Sequence, residues 1–394
     1  MTADGTRPRF SRRGSWDVLP GRVAARVEAL RRAGAPLIDL SASNPTRCGL
    51  AWPAAALAAA LAPASVSRYD PDPRGLAGAR AAVAAYLAAR GAAVDPEAVV
   101  LTASTSEAYA LLLKLLCDPG DEVLVPAPGY PLHEVLARLE GVRLARYPLR
   151  YDGTWHLDLP ALRAAVTGRT RAVITVSPSN PAGAILSRAE LSEVEALCAA
   201  RGLALVGDEV FADTAPDAPS VATVRRCLAF QLAGLSKTCG LPQLKAAWIA
   251  VAGPRAEVGA ALERLEMIAD AFLSISAPAQ LALGRLLPDR ERFLAPLRAR
   301  LAGNEAALRR AAAAPAPFDV LRRDGGWSAV LRIGQARDEE AVCLRLLDDG
   351  VLVQPGFFYD FERSGHLVVS LLPRPEEFER GIGIVARALR VTDP

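Results

Sequence analysis

The chain carries only three lysines, Lys114, Lys237 and Lys245, against 43 arginines. Two of the three fall inside one short stretch, "LSKTCGLPQLKAAW". Arginine supplies charge and hydrogen bonds as well as lysine does, but it cannot shed its proton to become a nucleophile. Lysine can, and condensation with a carbonyl is its characteristic reaction. Other residues able to do chemistry sit at similar breaks in the apolar pattern. Ser104, Thr105 and Ser106 follow "AVVL", and Tyr130 follows "EVLVP". Asn180 follows "RAVITVS", Asp208 follows "LALVG", and Ser236 and Lys237 follow "CLAFQLAG".

These breaks are the ends of expected strands. From about residue 75 to 255, short β-branched runs alternate with amphipathic segments. "SRAELSEVEALCAARG" reads as a helix with Ser187 as its N-cap, Glu190 three residues on, and Gly202 as its stop. The alternation predicts an α/β domain with a mainly parallel sheet flanked by helices. After about residue 255, two runs read as long helices, and "WSAVLRI", "VLVQPGFFY" and "HLVVSLL" read as strands of a smaller α+β domain. The expected division is 1–45 as an N-terminal arm or part of the small domain, 46–275 as the large domain and 276–394 as the small one.

Ligands of parallel sheets gather beyond the carboxyl ends of the strands. There the sequence offers a helix N-terminus with hydroxyls for a phosphate and an aromatic ring for stacking. It also offers an amide, a buried carboxylate and an amine. Each alone has a bland reading as a cap, a packing ring or a turn. Together they match one cofactor, pyridoxal 5'-phosphate, with its phosphate, flat pyridine ring, 3'-oxygen, basic ring nitrogen and aldehyde.

The order and spacing of "SNPAG", "GDEVF" and "SKTCGLPQLK" resemble the class I/II aminotransferases, fold-type-I enzymes related to aspartate aminotransferase. The resemblance runs from "LSASNPT" to "HLVVSLL". It implies that Lys237 carries the cofactor as a Schiff base, Asp208 pairs with the ring nitrogen, Asn180 bonds the 3'-oxygen and Tyr130 stacks on the ring. It implies that Ser104, Thr105, Ser106, Ser236 and Lys245 hold the phosphate. Tyr69 matches a tyrosine reaching the phosphate of a neighbouring subunit, so a homodimer with shared active sites is expected. The implied reaction moves an amino group between an amino acid and a 2-oxo acid.

Four positions depart from the family pattern. Lys245 stands where arginine is usual, Gly234 where a serine is usual, and Phe211 where a tyrosine donates to the 3'-oxygen. Val368 replaces the arginine that binds the substrate carboxylate, leaving Arg47 and Arg374 as nearby substitutes. Asn44 and Tyr359 are further candidates for the substrate side. The missing arginine keeps other chemistry on the same fold open, a β-lyase or a decarboxylase. A non-enzymatic regulator is disfavoured, since only some 40 residues precede the resembling region and they lack a helix-turn-helix pattern.

The bulk composition excludes other classes. Net charge is +3, charged residues are 23% and hydrophobic residues 51%, an ordinary globular balance with no basic footprint for nucleic acid. Six scattered cysteines and three distant histidines give neither a disulfide framework nor a metal-ligand spacing, and fit reduced thiols in a cytoplasm. "RFSRRGSW" superficially resembles a twin-arginine signal, but the run after it is charged and broken, so mature protein is expected. "WPAAALAAALAPASV" is too short and interrupted to span a bilayer, and no membrane partner is expected.

Overall fold

The computed structural model describes residues 10–14, 21–62, 64–313 and 317–390. Arg9, Ser15 and Trp16 of the twin-arginine-like stretch lie outside them. A short strand β1 (Ile38–Asp39) precedes the main sheet. That sheet is built from β2 (Val99–Thr102), β3 (Glu122–Ala127), β4 (Arg143–Tyr151), β5 (Trp155–Leu157), β6 (Thr170–Val176), β7 (Ala204–Asp208), β8 (Ala229–Gly234) and β9 (Ala247–Ala252). Their spatial order is β2-β9-β8-β7-β6-β3-β4-β5.

The sequence expectation of a mainly parallel sheet flanked by helices holds. β4, β3, β6, β7 and β8 run parallel in turn, while β9 runs antiparallel to both β8 and β2. The inner strands β7, β8 and β9 are buried along their whole length, which is why their sequences are continuous apolar runs. Helices Thr105–Leu116 and Arg255–Asp270 pack on one face around Ile249, Phe230 and Leu265. Helix Arg188–Arg201 covers the other face with Leu191, Val194 and Leu197. Its capping box forms as the sequence implied: Glu190 N–H donates to Ser187 Oγ at 3.2 Å, Ser187 N–H to Glu190 Oε2 at 2.8 Å, and Gly202 ends it with φ of 62°.

The C-terminal part holds β10 (Asp319–Val320), β11 (Ser328–Arg332), β12 (Val351–Leu352), β13 (Gln354–Pro355) and β14 (His366–Ser370). β10, β11, β14 and β13 form an antiparallel sheet, while β12 pairs in parallel with β1. "VLVQPGFFY" therefore differs from the single strand its composition suggested. It divides into β12, β13 and a 3-10 turn at Gly356–Tyr359, because Pro355 lacks the amide a continuing ladder needs. The run after residue 255 also divides, into Arg255–Asp270 and Ala277–Leu286. Leu273 between them takes a left-handed φ of 44°, and Pro278 sits in the first turn of the second helix. The N-terminal helix Arg22–Arg32 lies on helix Glu339–Asp348, with ion pairs Arg22–Glu340 at 3.0 Å and Arg26–Asp348 at 2.6 Å. Among the described residues no helix is long and apolar enough to cross a membrane.

Candidate active site

The carboxyl ends of β2, β3, β6, β7 and β8 open on one cavity of about 390 Å³. Antiparallel β9 begins at the same edge, so the turn before it also faces the cavity. Ten of the candidate site residues line it, Ser104, Thr105, Ser106, Tyr130, Asn180, Asp208, Ser236, Lys237, Lys245 and Tyr359, as do Phe211 and Gly234, two of the positions that depart from the family pattern.

Lys237 rides on the one-turn helix Leu235–Thr238. That turn is pinned from several sides. Leu235 N–H donates to Ala246 O at 2.9 Å, Leu241 N–H to Leu235 O at 3.0 Å, and the Trp52 indole to Cys239 O at 2.6 Å. The Lys237 Nζ lies over the Trp327 ring, 4.8 Å from its centroid, and 5.9 Å from that of Phe211. Burial pushes its pKa below the ordinary lysine value, and the charge of Asp208 only partly opposes this. An amine so placed is a better nucleophile at neutral pH than a surface lysine.

Asp208 is 8% exposed. Its Oδ1 accepts from Val210 N–H at 3.2 Å and its Oδ2 from the Tyr109 hydroxyl at 3.0 Å. Burial raises its pKa, and those two hydrogen bonds and Lys237 pull the other way. A buried carboxylate whose donors are neutral is still short of a cationic partner. A protonated ring nitrogen supplies one.

The opposite pole suits an anion. Helix Thr105–Leu116 starts at the cavity, so its first amides have no intrahelical acceptor. Ser104 is its N-cap, accepting from Glu107 N–H at 3.1 Å, so its hydroxyl is partly spent on the cap. Thr105 and Ser106 follow in the first turn, and Ser236 and Lys245 line the same cavity. Lys245 adopts φ 52° and ψ 57° at the end of the Pro242–Leu244 turn. A left-handed conformation is unfavourable for a residue with a Cβ. No carboxylate among the described residues pairs with Lys245.

The Gly234 departure has a steric cause. In the β8–β9 register Gly234 lies opposite Ala247. A Cβ on Gly234 would meet Ala247 Cβ at 2.8 Å and Ala246 O at 2.9 Å. The methyl and Cα of Ala247 and the Ala246 carbonyl together occupy the space a serine side chain would need. Asn180 sits on a loop tied down by two serines. Ser177 Oγ accepts from Leu186 N–H at 2.9 Å and Ser179 Oγ from Ala184 N–H at 3.0 Å.

Four candidates lie elsewhere. The Asn44 side-chain Oδ1 accepts from Thr46 N–H at 3.1 Å and from the Thr46 hydroxyl at 2.7 Å, capping the turn Pro45–Cys48 that also carries Arg47. The Arg374 guanidinium packs over Gly49, 3.6 Å from where a Cβ would stand. Neither arginine lines the cavity. Tyr69 is 81% exposed and borders a separate cleft with Phe272 and Leu273. Val368 is buried against Val330 and Tyr359. Among the described residues lining the cavity there is no arginine. The wall beside Tyr359 is neutral and polar instead, with Ser41, Ser43, Ser328, Gln354 and Ser370.

Sequence reading missed this wall, Trp327 and His133. His133 had a signal, since it falls one helical turn after Tyr130. The hydroxyl wall had none, because scattered serines and one glutamine carry no spacing.

Comparisons with known proteins give the family. The pattern of the family described as "Aminotransferase class I and II" matches residues 35–382. The chain is 27% identical over 393 residues to the glutamate-pyruvate aminotransferase AlaA of Escherichia coli (strain K12), covering 94% of each. It is 30% identical over 268 residues to an alanine aminotransferase of Mycobacterium bovis, covering 66% of this chain and 61% of that one. An Escherichia coli aminotransferase structure superposes with a TM-score of 0.85 at 25% identity, covering 98% of this chain and 99% of that one. The Pyrococcus furiosus alanine aminotransferase shares the fold with a TM-score of 0.87 at 22% identity, covering 97% and 100%. The chain belongs to the class I and II aminotransferases, fold-type-I enzymes that carry out transamination with pyridoxal 5'-phosphate.

Proposed function

We propose that Lys237 is the amine that carries the cofactor and that glutamate and pyruvate are its first amino donor and acceptor to test. The observation that supports this most is that the half-buried amine of Lys237, the buried carboxylate of Asp208, the N-terminus of helix Thr105–Leu116 and Lys245 line one cavity. The substrate pair is taken from the relatives' names.

When bound, the cofactor supplies an aldehyde that condenses with amines and a pyridine ring that accepts electron density. The chain's residues divide the remaining work. Asp208 holds a proton on the ring nitrogen. Asn180 donates to the 3'-oxygen, and Tyr130 covers a ring face. Thr105, Ser106, Ser236 and Lys245, with the helix amides, neutralise the phosphate. Lys245 does so as a point charge without the bidentate fork of arginine. The free Lys237 amine would take the proton from the substrate Cα and hand it to the cofactor's C4' carbon. Tyr359 and the neutral wall contact the rest of the substrate.

Tyr69 reaches a second subunit's site in this proposal, and the exposed Tyr69, Phe272 and Leu273 cluster is covered in a homodimer. We divide the chain into a large domain, 46–275, and a small one of 276–394 joined by residues 1–45. The packing of Arg22–Arg32 on Glu339–Asp348 and of β1 on β12 supports that grouping. Six unpaired cysteines favour a reducing compartment, the cytoplasm.

A donor panel read by absorbance tests the reading. The loaded enzyme should convert pyruvate to alanine with glutamate as donor, releasing neither ammonia nor carbon dioxide. Release of either without a new amino acid would replace transamination by elimination or decarboxylation.

A further inference from the structure

One hydrogen-bonded chain enters the site from behind the residues that face the cavity. The Tyr109 hydroxyl donates to Asp208 Oδ2 at 3.0 Å, and His133 Nε2 lies 3.2 Å from the same hydroxyl oxygen. A phenol has one proton to give. With that proton on the Asp208 side, His133 completes the chain by donating its Nε2–H to the Tyr109 oxygen. All three residues are buried, Tyr109 at 5%, His133 at 6% and Asp208 at 8% exposed.

The elements that bring them together are those that shape the cavity. Tyr109 lies one turn beyond Thr105 on the helix whose N-terminus faces the anion pole. His133 lies one turn beyond Tyr130 at the start of helix Leu132–Glu140. Its ring meets Tyr109 edge-on at 5.0 Å and Tyr130 at 6.4 Å. Burial keeps His133 neutral, with its pKa pushed down to about 4, so it orients its neighbours without bringing a charge.

Without the cofactor the Asp208 carboxylate feels the charge of Lys237; with Lys237 condensed, the ring nitrogen would take that place. Val210 N–H and Tyr109 hold one oxygen each, which fixes the rotation of the carboxylate plane. We propose that Tyr109, oriented by His133, is a positioning residue that fixes the Asp208 carboxylate for the cofactor's ring nitrogen. This rests on the reading of Asp208 as that nitrogen's partner.

The test compares equilibrium binding of pyridoxal phosphate and of its 1-deaza analogue, which lacks the ring nitrogen, to wild type, Tyr109→Phe and His133→Phe. Wild type should bind both. Tyr109→Phe should weaken pyridoxal phosphate about tenfold, the size of one hydrogen bond to a charged group, and the deaza analogue less than twofold. His133→Phe should act in the same direction, about threefold, and serves if Tyr109→Phe does not fold. Equal loss for both cofactors, or no loss for either, would reduce Tyr109 to a packing residue and overturn the inference. Wild type that binds neither cofactor would defeat the reading of the site itself, a separate result.

Discussion

The Lys237 ammonium nitrogen stands 4.8 Å from the centroid of the Trp327 ring. The aromatic face stabilises the cation, while burial disfavours it and wins, so the pKa falls below that of a free lysine. The rate at which apoenzyme condenses with cofactor should rise with pH and level off below the pH expected for an exposed lysine. Asp208 favours the charged amine, so Asp208→Asn should shift that midpoint further down. Trp327→Leu removes the ring and should shift it down by about half a unit, from about 0.5–1 kcal/mol of lost attraction. An unchanged midpoint in both variants would show that neither neighbour acts on Lys237.

Gly234 and Ala247 share one space. Gly234→Ser should destabilise the fold by about 1–3 kcal/mol through overpacking, and adding Ala247→Gly should recover only part of it, since Ala246 O and Ala247 Cα stay in place. Thermal melting of the two singles and the double checks this. Additive losses would contradict the shared-space account.

Phe211 lies 4.9 Å from Trp327 between ring centroids, with nothing at its tip to donate a hydrogen bond. Phe211→Tyr should stabilise the ionised 3'-oxygen of the bound cofactor and lower the pH midpoint of its absorbance change by about one unit. The same midpoint in both proteins would place the ring out of reach of that oxygen.

The arginine-free cavity predicts which residues the substrate senses. Gln354→Ala should raise KM for the amino donor about three- to tenfold, the worth of one hydrogen bond. Arg47→Ala and Arg374→Ala, whose side chains lie outside the cavity, should change it less than about twofold. A tenfold rise in either arginine variant would show that the guanidinium moves in when substrate binds.

The parallel sheet and its chemistry were legible because both leave local marks. Apolar runs buried on both faces read as strands, and reactive residues follow them directly, as Asp208 follows "LALVG". Ser187, Glu190 and Gly202 signalled a helix through capping rules that act within a few residues. The substrate wall was not legible. Ser41, Ser328, Gln354 and Ser370 come from four separate segments, and only tertiary packing brings them together. Arg47 and Arg374 lie outside the cavity, and closeness in sequence to Asn44 and Val368 says nothing of which way a long side chain turns. Tyr109 carries no local mark in the sequence. Its role depends on a contact 99 residues away.

With only three lysines in the chain, one measurement bears on the central claim without ambiguity. Purified protein is saturated with pyridoxal phosphate, reduced with borohydride, digested and sequenced by mass spectrometry. The phosphopyridoxyl group should be found on Lys237 and on neither Lys114 nor Lys245. Label on either of those two, or none at all, would contradict the assignment of Lys237 as the residue that carries the cofactor.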